Sequence, residues 1–464
     1  MKQAKRVALG ILLALLALAL TASILLTGSR FLSLSAQTEP SQAQISTTQA
    51  PSTVPSTAPS TEVTQTPTTE PTEPAVTKIA TATVGATGDL LMHDNVIKSG
   101  YDAGTGTYDF NYIFQYLTGY ISQVDYAVAN LEVTLCGDEN GYAYSGYPQF
   151  NCPDAIVDAA KNAGFDLLLT ANNHSYDTRS VGFHRTQEVI RERLLDYIGT
   201  RESVEDANYI IREINGISIG MTCYTYNTGT DSDGSVSLNG IPLTLENSML
   251  INTFSYDDLT AFYDQLGGEI EQMYAEGAEA IVVFIHWGDE YQTSPNSYEK
   301  KIAQQLCEMG VDVIVGGHPH VIQPMATLTS EADPSHTTVC LYSMGNCVSN
   351  IRLSSTRPAE CEDGLFFTFT FAKYSDGSVV VESTDILPFY VNRYTSDDRY
   401  LFPLIPLDGD SAEWQSAYSL TDSQLSDCLA SLARTETILG DTLTEANAVL
   451  AQQQAALEAM LGVE

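Results

Sequence analysis

Two short apolar runs that each lead into histidine constrain the fold of this 464-residue chain more than any other stretch. Residues 281–285 and 311–315 are rich in β-branched side chains and have the length of buried parallel strands. Between them, residues 297–309 place apolar side chains at helical spacing, and Gly310 follows as a stop signal. The stretch therefore predicts a β-α-β unit that delivers histidines to the carboxyl edge of one sheet, namely His286, His318 and His320.

Three imidazoles at one sheet edge indicate a metal site. In His318-Pro319-His320 the alternate positions face one side if the chain is locally extended, and the two preceding glycines let the backbone approach a ligand closely. The alternative is a pair of hydrogen-bonded loop histidines and one histidine in the core. We favour the metal site because histidine is the commonest protein ligand of transition metals and three occur together.

The chain around this unit alternates strand and helix patterns and then closes with strands. Strands are predicted at residues 79–92, at 125–135, from 165, at 209–214 and 217–225 as a hairpin, and at 338–343, 365–372 and 379–387. Helices are predicted at residues 110–122, 153–164, 181–195 and 256–274. Residues 231–252 show little pattern and are interpreted as an insertion. The alternation favours one α/β domain, with a mixed sheet or two stacked sheets.

Polar side chains able to bind a cation follow every strand assigned to the parallel set. They are Asp89, Glu132, Asn173 with His174, His286, and His318 with His320. Two carboxylates, one amide oxygen and four imidazoles suffice for two ions that share a carboxylate, and this donor set suits Mn²⁺, Zn²⁺ or iron. We therefore predict one or two divalent metal ions at this edge, which would hold a phosphoryl or carbonyl group and activate water.

Further residues are candidates for supporting roles around these ligands. Asp177 would orient the imidazole of His174 from outside the ligand set, and Asp289 and Glu290 would do the same for His286. The alternative for these acids is a solvated or helix-capping role. Asn346, in the segment SMGNC, is either a turn residue or a contact to a bound ligand. If the ions activate water, His174 and His286 are the candidates for a catalytic acid.

The N-terminal region predicts export and a membrane anchor. Residues 7–26 form a nearly unbroken apolar run after a basic start, long enough to cross a bilayer as a helix. The alternative is a secreted protein whose signal peptide is cleaved, but Leu34-Ser35-Ala36 places a bulky residue where cleavage prefers a small one. We therefore expect residues 1–30 to be a signal-anchor in the cell membrane, with the rest of the chain extracellular.

The regions that flank the folded domain differ from it in composition. Residues 31–78 are rich in Pro, Ser and Thr and are expected to form a disordered linker that lifts the domain off the membrane. The domain itself is assigned to residues 79–393. Residues 394–464 form a C-terminal extension with a partly helical pattern, in which we find no chemistry.

Charge and cysteine usage restrict the partners and the redox state. The sequence has 21 Lys and Arg against 58 Asp and Glu, a net charge of −37, which argues against nucleic acid as a partner. The same charge repels polyanions except where a bound metal supplies positive charge. Since export permits disulfides, Cys136 with Cys152 is the most plausible pair among the eight cysteines, because both flank a loop.

Six segments resemble the CapA/PgsA family of capsule synthesis proteins in their order and spacing. They are GDLLMHD, NLEVTL, ANNHSYD, HWGDEY, GGHPHVIQP and SMGN, and the resemblance covers about residues 81–387. The resemblance implies a calcineurin-like metallophosphoesterase fold, a four-layer αββα sandwich, with Glu132 at the position of the superfamily's bridging aspartate. Leu91 stands where the superfamily has a histidine, and His93 is the candidate to reach the same side.

The resemblance also implies a role in making, anchoring or exporting a poly-γ-glutamate capsule, together with membrane-bound capsule synthesis subunits. Two functions are compatible with it. The first is a component that binds the anionic polymer at a metal-containing site. The second is a metal-dependent hydrolase of phosphoester or γ-amide bonds in an envelope polymer. A purely structural spacer would leave the histidines unexplained.

Overall fold

The computed structural model describes residues 76–461. The expected signal-anchor, residues 1–30, and nearly all of the expected linker, residues 31–78, lie outside the described residues. Within residues 76–461, no helix combines the length and the apolar character needed to cross a bilayer.

The strands are numbered in chain order. They are β1 (Lys78–Leu90), β2 (Tyr101–Asp102), β3 (Thr107–Tyr108), β4 (Tyr126–Asn130), β5 (Leu167–Leu169), β6 (Asp196–Ile198), β7 (Tyr209–Ile214), β8 (Ile217–Tyr226), β9 (Gly229–Thr230), β10 (Val236–Leu238), β11 (Ile241–Pro242), β12 (Thr253–Phe254), β13 (Ala280–His286), β14 (Val313–Gly317), β15 (Ile322–Thr329), β16 (Thr337–Met344), β17 (Asn346–Val348), β18 (Asp363–Tyr374), β19 (Val379–Val391), β20 (Tyr394–Ser396), β21 (Arg399–Leu401) and β22 (Leu404–Pro406).

The α-helices are numbered in the same way. They are α1 (Asp94–Gly100), α2 (Asn111–Phe114), α3 (Thr118–Ile121), α4 (Ala155–Ala163), α5 (Arg179–Glu192), α6 (Leu245–Ser248), α7 (Leu259–Ala275), α8 (Ser297–Glu308), α9 (Ser411–Ala417), α10 (Asp422–Leu439) and α11 (Thr442–Leu461). A 3₁₀ turn occupies Ala359–Glu362. The single helix predicted over residues 110–122 is wrong, because it is split into α2 and α3, and the Thr118 hydroxyl bonds the Phe114 carbonyl where the two meet.

Two large sheets form the centre of the fold. The first has eight strands in the order β22-β19-β18-β1-β4-β5-β6, with β17 also paired to β1. The second has seven strands in the order β12-β8-β13-β14-β16-β15, with β7 also paired to β8. The run β1-β4-β5-β6 is parallel in the first sheet, and the run β8-β13-β14-β16 is parallel in the second. The expected α/β class is confirmed, with two sheets rather than one.

Three hydrophobic clusters define the layers. The first lies between the two sheets and includes Val84, Phe367, Phe369, Val282 and Val315. The second lies between the first sheet and helices such as α4 and α5, and the third lies between the second sheet and helices α7 and α8. Helices therefore cover the outer face of each sheet, and the layer order is helix, sheet, sheet, helix.

Strand β13 shows how the sequence produces this layering. Val282 and Phe284 face the core between the sheets, whereas Ile281, Val283 and Ile285 face the helices on the other side. Because both faces are covered, the strand is continuously apolar up to its last residue. The prediction of a buried parallel strand at residues 281–285 is confirmed.

The C-terminal residues pack onto the sandwich. Strand β22 pairs with β19 at the edge of the first sheet. Leu439, Ala446 and Leu450 of helices α10 and α11 join the core between the sheets. In α10, Arg434 also pairs with the fully buried Asp363, with N–O distances of 2.6 and 2.7 Å. The C-terminal helices thus contribute to the hydrophobic core of the sandwich.

The expected disulfide between Cys136 and Cys152 is not formed. All eight cysteines lie in the described part of the chain, and each is a buried free thiol. Cys152 packs into the cluster between the first sheet and its helices. Cys136 instead lies against α5, where a Cβ added to Gly182 would come within 3.2 Å of the Cys136 Cβ. The two side chains therefore have different surroundings although both residues flank one loop.

Helix α8 begins at a capping box that contains a buried carboxyl group. The Asn296 side chain accepts hydrogen bonds from the backbone N–H groups of Tyr298 and Glu299, and Glu299 Oε2 accepts one from the Asn296 N–H at 2.7 Å. Burial raises the pKa of Glu299 to about 7. Glu299 Oε1 and Gln323 Oε1 are both buried without a hydrogen-bond partner among the described residues.

Replacing Glu299 by glutamine is expected to remove a pH-dependent loss of stability. The pKa of Glu299 is raised above its ordinary value of 4.5 in the folded protein. The stability that protonated Glu299 gives the folded protein is therefore complete below pH 4.5 and is lost as the pH rises through about 7. Glutamine keeps the capping bond and cannot ionise. Urea unfolding should show a larger gain for Glu299→Gln at about pH 9 than at about pH 5; equal gains would contradict the prediction.

Candidate metal centre

The polar side chains expected at the carboxyl edge of the parallel strands meet there. Asp89 lies near the end of β1, and Glu132 follows β4 by two residues. His286 is the last residue of β13 and lies opposite Gly317, the last residue of β14. The loop that follows β14 carries His318 and His320, and the loop that follows β5 carries Asn173 and His174. Both sheets thus contribute to one edge.

Five of these side chains form two adjoining clusters that share one carboxylate. Glu132, His286 and His318 form the first cluster, and Asp89, Glu132 and His320 form the second. In each cluster the candidate ligand atoms lie within 4.8 Å of one another, and all five residues are buried. Such a pair of donor sets around a shared carboxylate can hold one or two divalent cations.

The first cluster, which we call the Asn173 cluster, gains an amide oxygen. His286 Nε2 lies 2.9 Å from Asn173 Oδ1 and 3.5 Å from Glu132 Oε1. The His286 and His318 rings are 4.8 Å apart. One carboxylate, one amide oxygen and two imidazoles therefore lie close enough together to bind one ion.

The second cluster, which we call the Asp89 cluster, is held by surrounding amides. Asp89 Oδ2 lies 3.0 Å from His320 Nδ1, and Asp89 Oδ1 accepts a hydrogen bond from Asn130 Nδ2 at 2.7 Å. His320 Nε2 lies 3.9 Å from Glu132 Oε1. Asn346 Nδ2 donates to the His320 carbonyl at 3.0 Å and so fixes the backbone of this residue. Asn346 therefore supports the loop of His320.

The histidine loop is not extended as the sequence suggested. His318 and His320 have φ values of +97° and +56°, in the left-handed region that non-glycine residues rarely occupy. The Tyr291 N–H donates to the Pro319 carbonyl at 2.8 Å and holds the turn. This conformation places the two imidazoles in different clusters rather than side by side in one. Strain of this kind is typical of functional loops.

The electrostatics of the two clusters fit a bound cation. Both oxygens of the fully buried Glu132 lack a hydrogen-bond partner among the described residues, and so does Nδ1 of His318. Burial and the adjacent Asp89 raise the pKa of Glu132 far above its usual range. Burial also lowers the pKa of His286 to about 3, so its imidazole is neutral, as a metal ligand must be. Buried carboxylate oxygens without donors are costly unless a cation compensates them.

The charge state of Asp89 differs from that of Glu132. Burial is the largest single influence and would raise the pKa of Asp89, but the hydrogen bond and charge of His320, together with His286 and the Asn130 hydrogen bond, lower it overall. Asp89 is therefore the ionised carboxylate of the pair.

His174 lies beside the clusters and is absent from both. Its Nδ1 lies 2.8 Å from Asp177 Oδ2, so the expected orienting contact is present. Asp177 Oδ2 also accepts a hydrogen bond from the Phe150 N–H at 2.7 Å, and the Phe150 ring packs edge-on against His174 at 4.7 Å. The imidazole of His174 is therefore fixed by a carboxylate and an aromatic ring.

The two acids expected to orient His286 do not contact its ring. Asp289 is exposed, which agrees with the solvated alternative, and it accepts a hydrogen bond at 2.8 Å from Nδ2 of Asn296, the residue that caps α8. Glu290 is also exposed. Within the described residues, the side-chain contacts of His286 Nε2 are to Asn173 and Glu132 instead.

Position 91 supplies no donor, and His93 does not replace it. Leu91 is buried in the cluster between the first sheet and its helices. His93 precedes α1, and its Nδ1 lies 3.2 Å from the Leu91 carbonyl and 3.3 Å from the Asn350 N–H. Burial lowers the pKa of His93 to about 4. The Asp89 cluster thus has three protein donors, whereas the Asn173 cluster has four with the amide.

Several contacts to the clusters were missed from sequence. Tyr226 OH lies 3.2 Å from His318 Nε2, and Asn172 Nδ2 donates to Asn130 Oδ1, which continues the support of Asp89. Asn239 contacts both Asn173 and His174. Asn130 is the last residue of β4 and Asn172 lies in the loop three residues after β5, so both positions near strand ends were a signal available in the sequence. Tyr226 and Asn239 reach the site only through the tertiary fold.

The fold and the site together define a class of protein: an α/β sandwich whose strand ends carry a candidate dinuclear metal centre of carboxylates and histidines. The family model for the bacterial capsule synthesis protein PGA_cap matches residues 83–351, more than half of the chain. The chain therefore belongs to this family, and the family expected from the six motifs is confirmed.

Two curated relatives are similar to this chain. The capsule biosynthesis protein CapA of Bacillus anthracis is 27% identical over 275 residues, which cover 57% of this chain and 59% of that protein. The PGA biosynthesis protein CapA of Bacillus subtilis is 26% identical over 301 residues, which cover 64% of this chain and 70% of that protein. The match thus spans less than two thirds of the first relative's length.

Among solved structures, the chain is similar to a calcineurin-like phosphoesterase, YfkN, from Bacillus subtilis. The TM-score is 0.40 at 15% identity, and the match covers 75% of this chain and 99% of that one. A sulfate thiohydrolase, SoxB, from Thermus thermophilus gives a TM-score of 0.36 at 14% identity, covering 77% of this chain and 61% of that one.

Proposed function

We propose that this chain is a membrane-anchored extracellular component of capsule biosynthesis that binds poly-γ-glutamate at a metal site on the carboxyl edge of the parallel strands. The observation that carries the proposal is Glu132, a buried carboxylate shared by two clusters, with neither oxygen hydrogen-bonded among the described residues. The anchor at residues 1–30 and the linker at 31–78 would hold the domain next to polymer emerging at the same membrane. Membrane-bound capsule synthesis subunits are the expected partners.

A cation resolves the conflict between an acidic protein and an acidic polymer. At a net charge of −37, the surface repels polyglutamate, and only a local positive charge reverses this repulsion. Asp89, Glu132 and His320 would hold one ion. Asn173, His286 and His318 would hold the other with the shared Glu132. Manganese, zinc or iron would suit this donor set, and when bound would supply a Lewis acid for a carboxylate or phosphoryl oxygen.

Arg357 is the side chain we assign to a polymer carboxylate. Its guanidinium lies over the Tyr291 ring at 6.0 Å, and this ring lies 6.3 Å from that of His320. Arg357 is half-buried and forms no ion pair with the described residues. Arg357 has no carboxylate partner within residues 76–461, and the Tyr291 ring lies between it and His320 of the Asp89 cluster. Its guanidinium is therefore available to an anionic ligand.

Polymer binding should need both the metal and Arg357. Titration calorimetry with poly-γ-glutamate would compare the full chain loaded with Mn²⁺, the chelated chain, and Arg357→Gln. We expect chelation to abolish binding and Arg357→Gln to weaken it about tenfold, or about 1.4 kcal/mol, without changing metal content. Arg399→Gln, which alters an exposed arginine bonded to the Tyr101 carbonyl, is the matched control and should bind normally. Equal binding by the chelated chain would refute the metal-dependent proposal.

A second candidate function is a metal-dependent hydrolase of phosphoester or γ-amide bonds. The observation that favours it is the buried pair of His174 with Asp177 beside the Asn173 cluster, an arrangement suited to proton transfer. His286 is less suited to that role, because its Nε2 faces Asn173 and Glu132. A panel of phosphodiester and γ-glutamyl substrates would decide: turnover lost on chelation and in His174→Ala supports hydrolysis.

A further inference from the structure

A short hairpin brings Asn239 to the edge of the candidate metal centre. Strands β10 and β11 are joined by the two residues Asn239 and Gly240, with φ values of +48° and +70°. Asn-Gly is the sequence that tight hairpin turns of this backbone favour. Val236 and Leu238 of β10 are buried in the core between the sheets and hold the hairpin in place. The position of the turn is therefore fixed by core packing.

The side chain of Asn239 bonds the amide of Asn173. Asn239 Oδ1 accepts a hydrogen bond from Asn173 Nδ2 at 3.2 Å. On the opposite side of the same amide, Asn173 Oδ1 lies 2.9 Å from His286 Nε2. One primary amide thus contacts the hairpin through its nitrogen and the Asn173 cluster through its oxygen.

The second contact of Asn239 is weaker. Asn239 Nδ2 lies 3.4 Å from His174 Nδ1, but this ring nitrogen lies closer to Asp177 Oδ2, at 2.8 Å. An Nδ1–H that donates to Asp177 has no lone pair for a second donor. The contact with His174 is therefore packing, and the acceptor role toward Asn173 is the specific function of the Asn239 side chain.

We propose that Asn239 is a positioning residue that selects the amide orientation of Asn173 in which oxygen faces the cluster. Rotating the Asn173 amide alone by half a turn would direct its NH₂ group at His286 and any bound cation and would set its oxygen against the Asn239 oxygen, so the Asn239 amide would have to turn with it. Asn239 thus makes Asn173 a fixed oxygen donor rather than a free rotor. This role rests on the proposed metal binding, although the orientation itself does not require an ion.

Three variants distinguish the role of the Asn239 side chain from that of the backbone turn. Asn239→Gly removes the amide and keeps a backbone that tolerates positive φ. Asn239→Asp keeps an acceptor oxygen for Asn173 Nδ2. Asn215→Gly is the matched control, because Asn215 and Gly216 form the same kind of turn between β7 and β8, with φ values of +49° and +84°. The three variants are made in the full chain.

The first measurement follows the Asn173 side-chain amide by NMR in metal-free protein labelled with ¹⁵N-asparagine, with Asn173→Asp to assign the signal. We expect exchange of the Asn173 NH₂ protons to be faster in Asn239→Gly than in the natural protein, Asn239→Asp and Asn215→Gly. Unchanged exchange in Asn239→Gly would overturn the positioning role, whether or not the protein binds metal. A natural protein that binds no metal would refute the proposed function separately.

The second measurement is Mn²⁺ affinity by competition with a metal-binding dye. We expect Asn239→Gly to lower the affinity for one of the two ions by roughly 10- to 100-fold, as loss of a group that orients a metal ligand does. Asn239→Asp should restore the affinity, and Asn215→Gly should leave it unchanged. Equal weakening by Asn239→Gly and Asn239→Asp would overturn the proposal, since an acceptor oxygen would then not be what matters.

Discussion

Glu132→Gln is expected to abolish metal-dependent stabilisation while leaving the metal-free protein as stable as before or more so. Glu132 is the residue common to both clusters, so its loss removes a donor from each. At a metal concentration about 100 times the dissociation constant, the natural protein should gain about 2.7 kcal/mol on binding one ion. The variant should gain little or nothing. Calorimetric unfolding with and without Mn²⁺ measures both quantities.

The effects of Glu132→Gln on stability with metal and without metal have opposite signs for one physical reason. Without an ion, Glu132 is a buried carboxyl group whose oxygens lack donors among the described residues and which faces the ionised Asp89. Glutamine has nearly the same shape and cannot ionise, so it does not need the proton that Glu132 must hold beside Asp89. With an ion bound, Glu132 gives up that proton, and its carboxylate charge is what binds. A substitution that merely damaged packing would lower stability in both states.

Glu269→Gln is the control for the Glu132 prediction. Glu269 is a buried glutamate whose Oε1 accepts hydrogen bonds from Tyr224 and Asn208, both at 2.6 Å. Its replacement should lower stability equally with and without metal, because it contributes to neither cluster. If Glu132→Gln behaves in the same way as Glu269→Gln, the two clusters are structural and hold no ion.

The ligand residues could be predicted from sequence because they follow a topological rule. Parallel strands end at one edge, so polar residues at or just after strand ends, such as Asp89, Glu132 and His286, converge whatever the details of the sheet. The alternation of strands and helices left one mixed sheet and two stacked sheets open, and the family resemblance implied the stacked pair. The rule holds for two sheets as well, because the carboxyl ends of both parallel runs contribute to the same site.

The supporting residues Tyr226 and Asn239 could not be predicted, because no local pattern encodes their contacts. Residues 231–252 lack periodicity since their strands are only two or three residues long. Asn239-Gly240 marks a turn, but the bond from Asn239 to Asn173 joins residues 66 positions apart. Tyr226 and His318 are 92 positions apart. Such contacts depend on how the two sheets are stacked.

The predicted extended conformation of the histidine loop was wrong for a related reason. Pro319 fixes only its own φ, so the sequence could not show that His318 and His320 adopt positive φ. That conformation depends on the Tyr291 N–H and the Asn346 side chain, which bond the loop from distant segments. One consequence is the division of the two histidines between clusters.

His286→Ala and His320→Ala are expected to remove different ions. His286 belongs to the Asn173 cluster and His320 to the Asp89 cluster. Elemental analysis after dialysis should therefore find one ion per chain in each single variant where the natural protein holds two. The double variant should hold none. His184→Ala is the control, since His184 is exposed and bonds Asn247 instead.

The two single variants should also differ in the affinity of the ion that remains. His320→Ala leaves the Asn173 cluster with Glu132, Asn173, His286 and His318, whereas His286→Ala leaves only Asp89, Glu132 and His320. Because Leu91 adds no donor to the Asp89 cluster, the ion left in His286→Ala has one protein ligand fewer and should dissociate more readily on dilution or chelation. If either substitution alone removes all metal, the two clusters together hold a single ion, and the dinuclear arrangement is refuted.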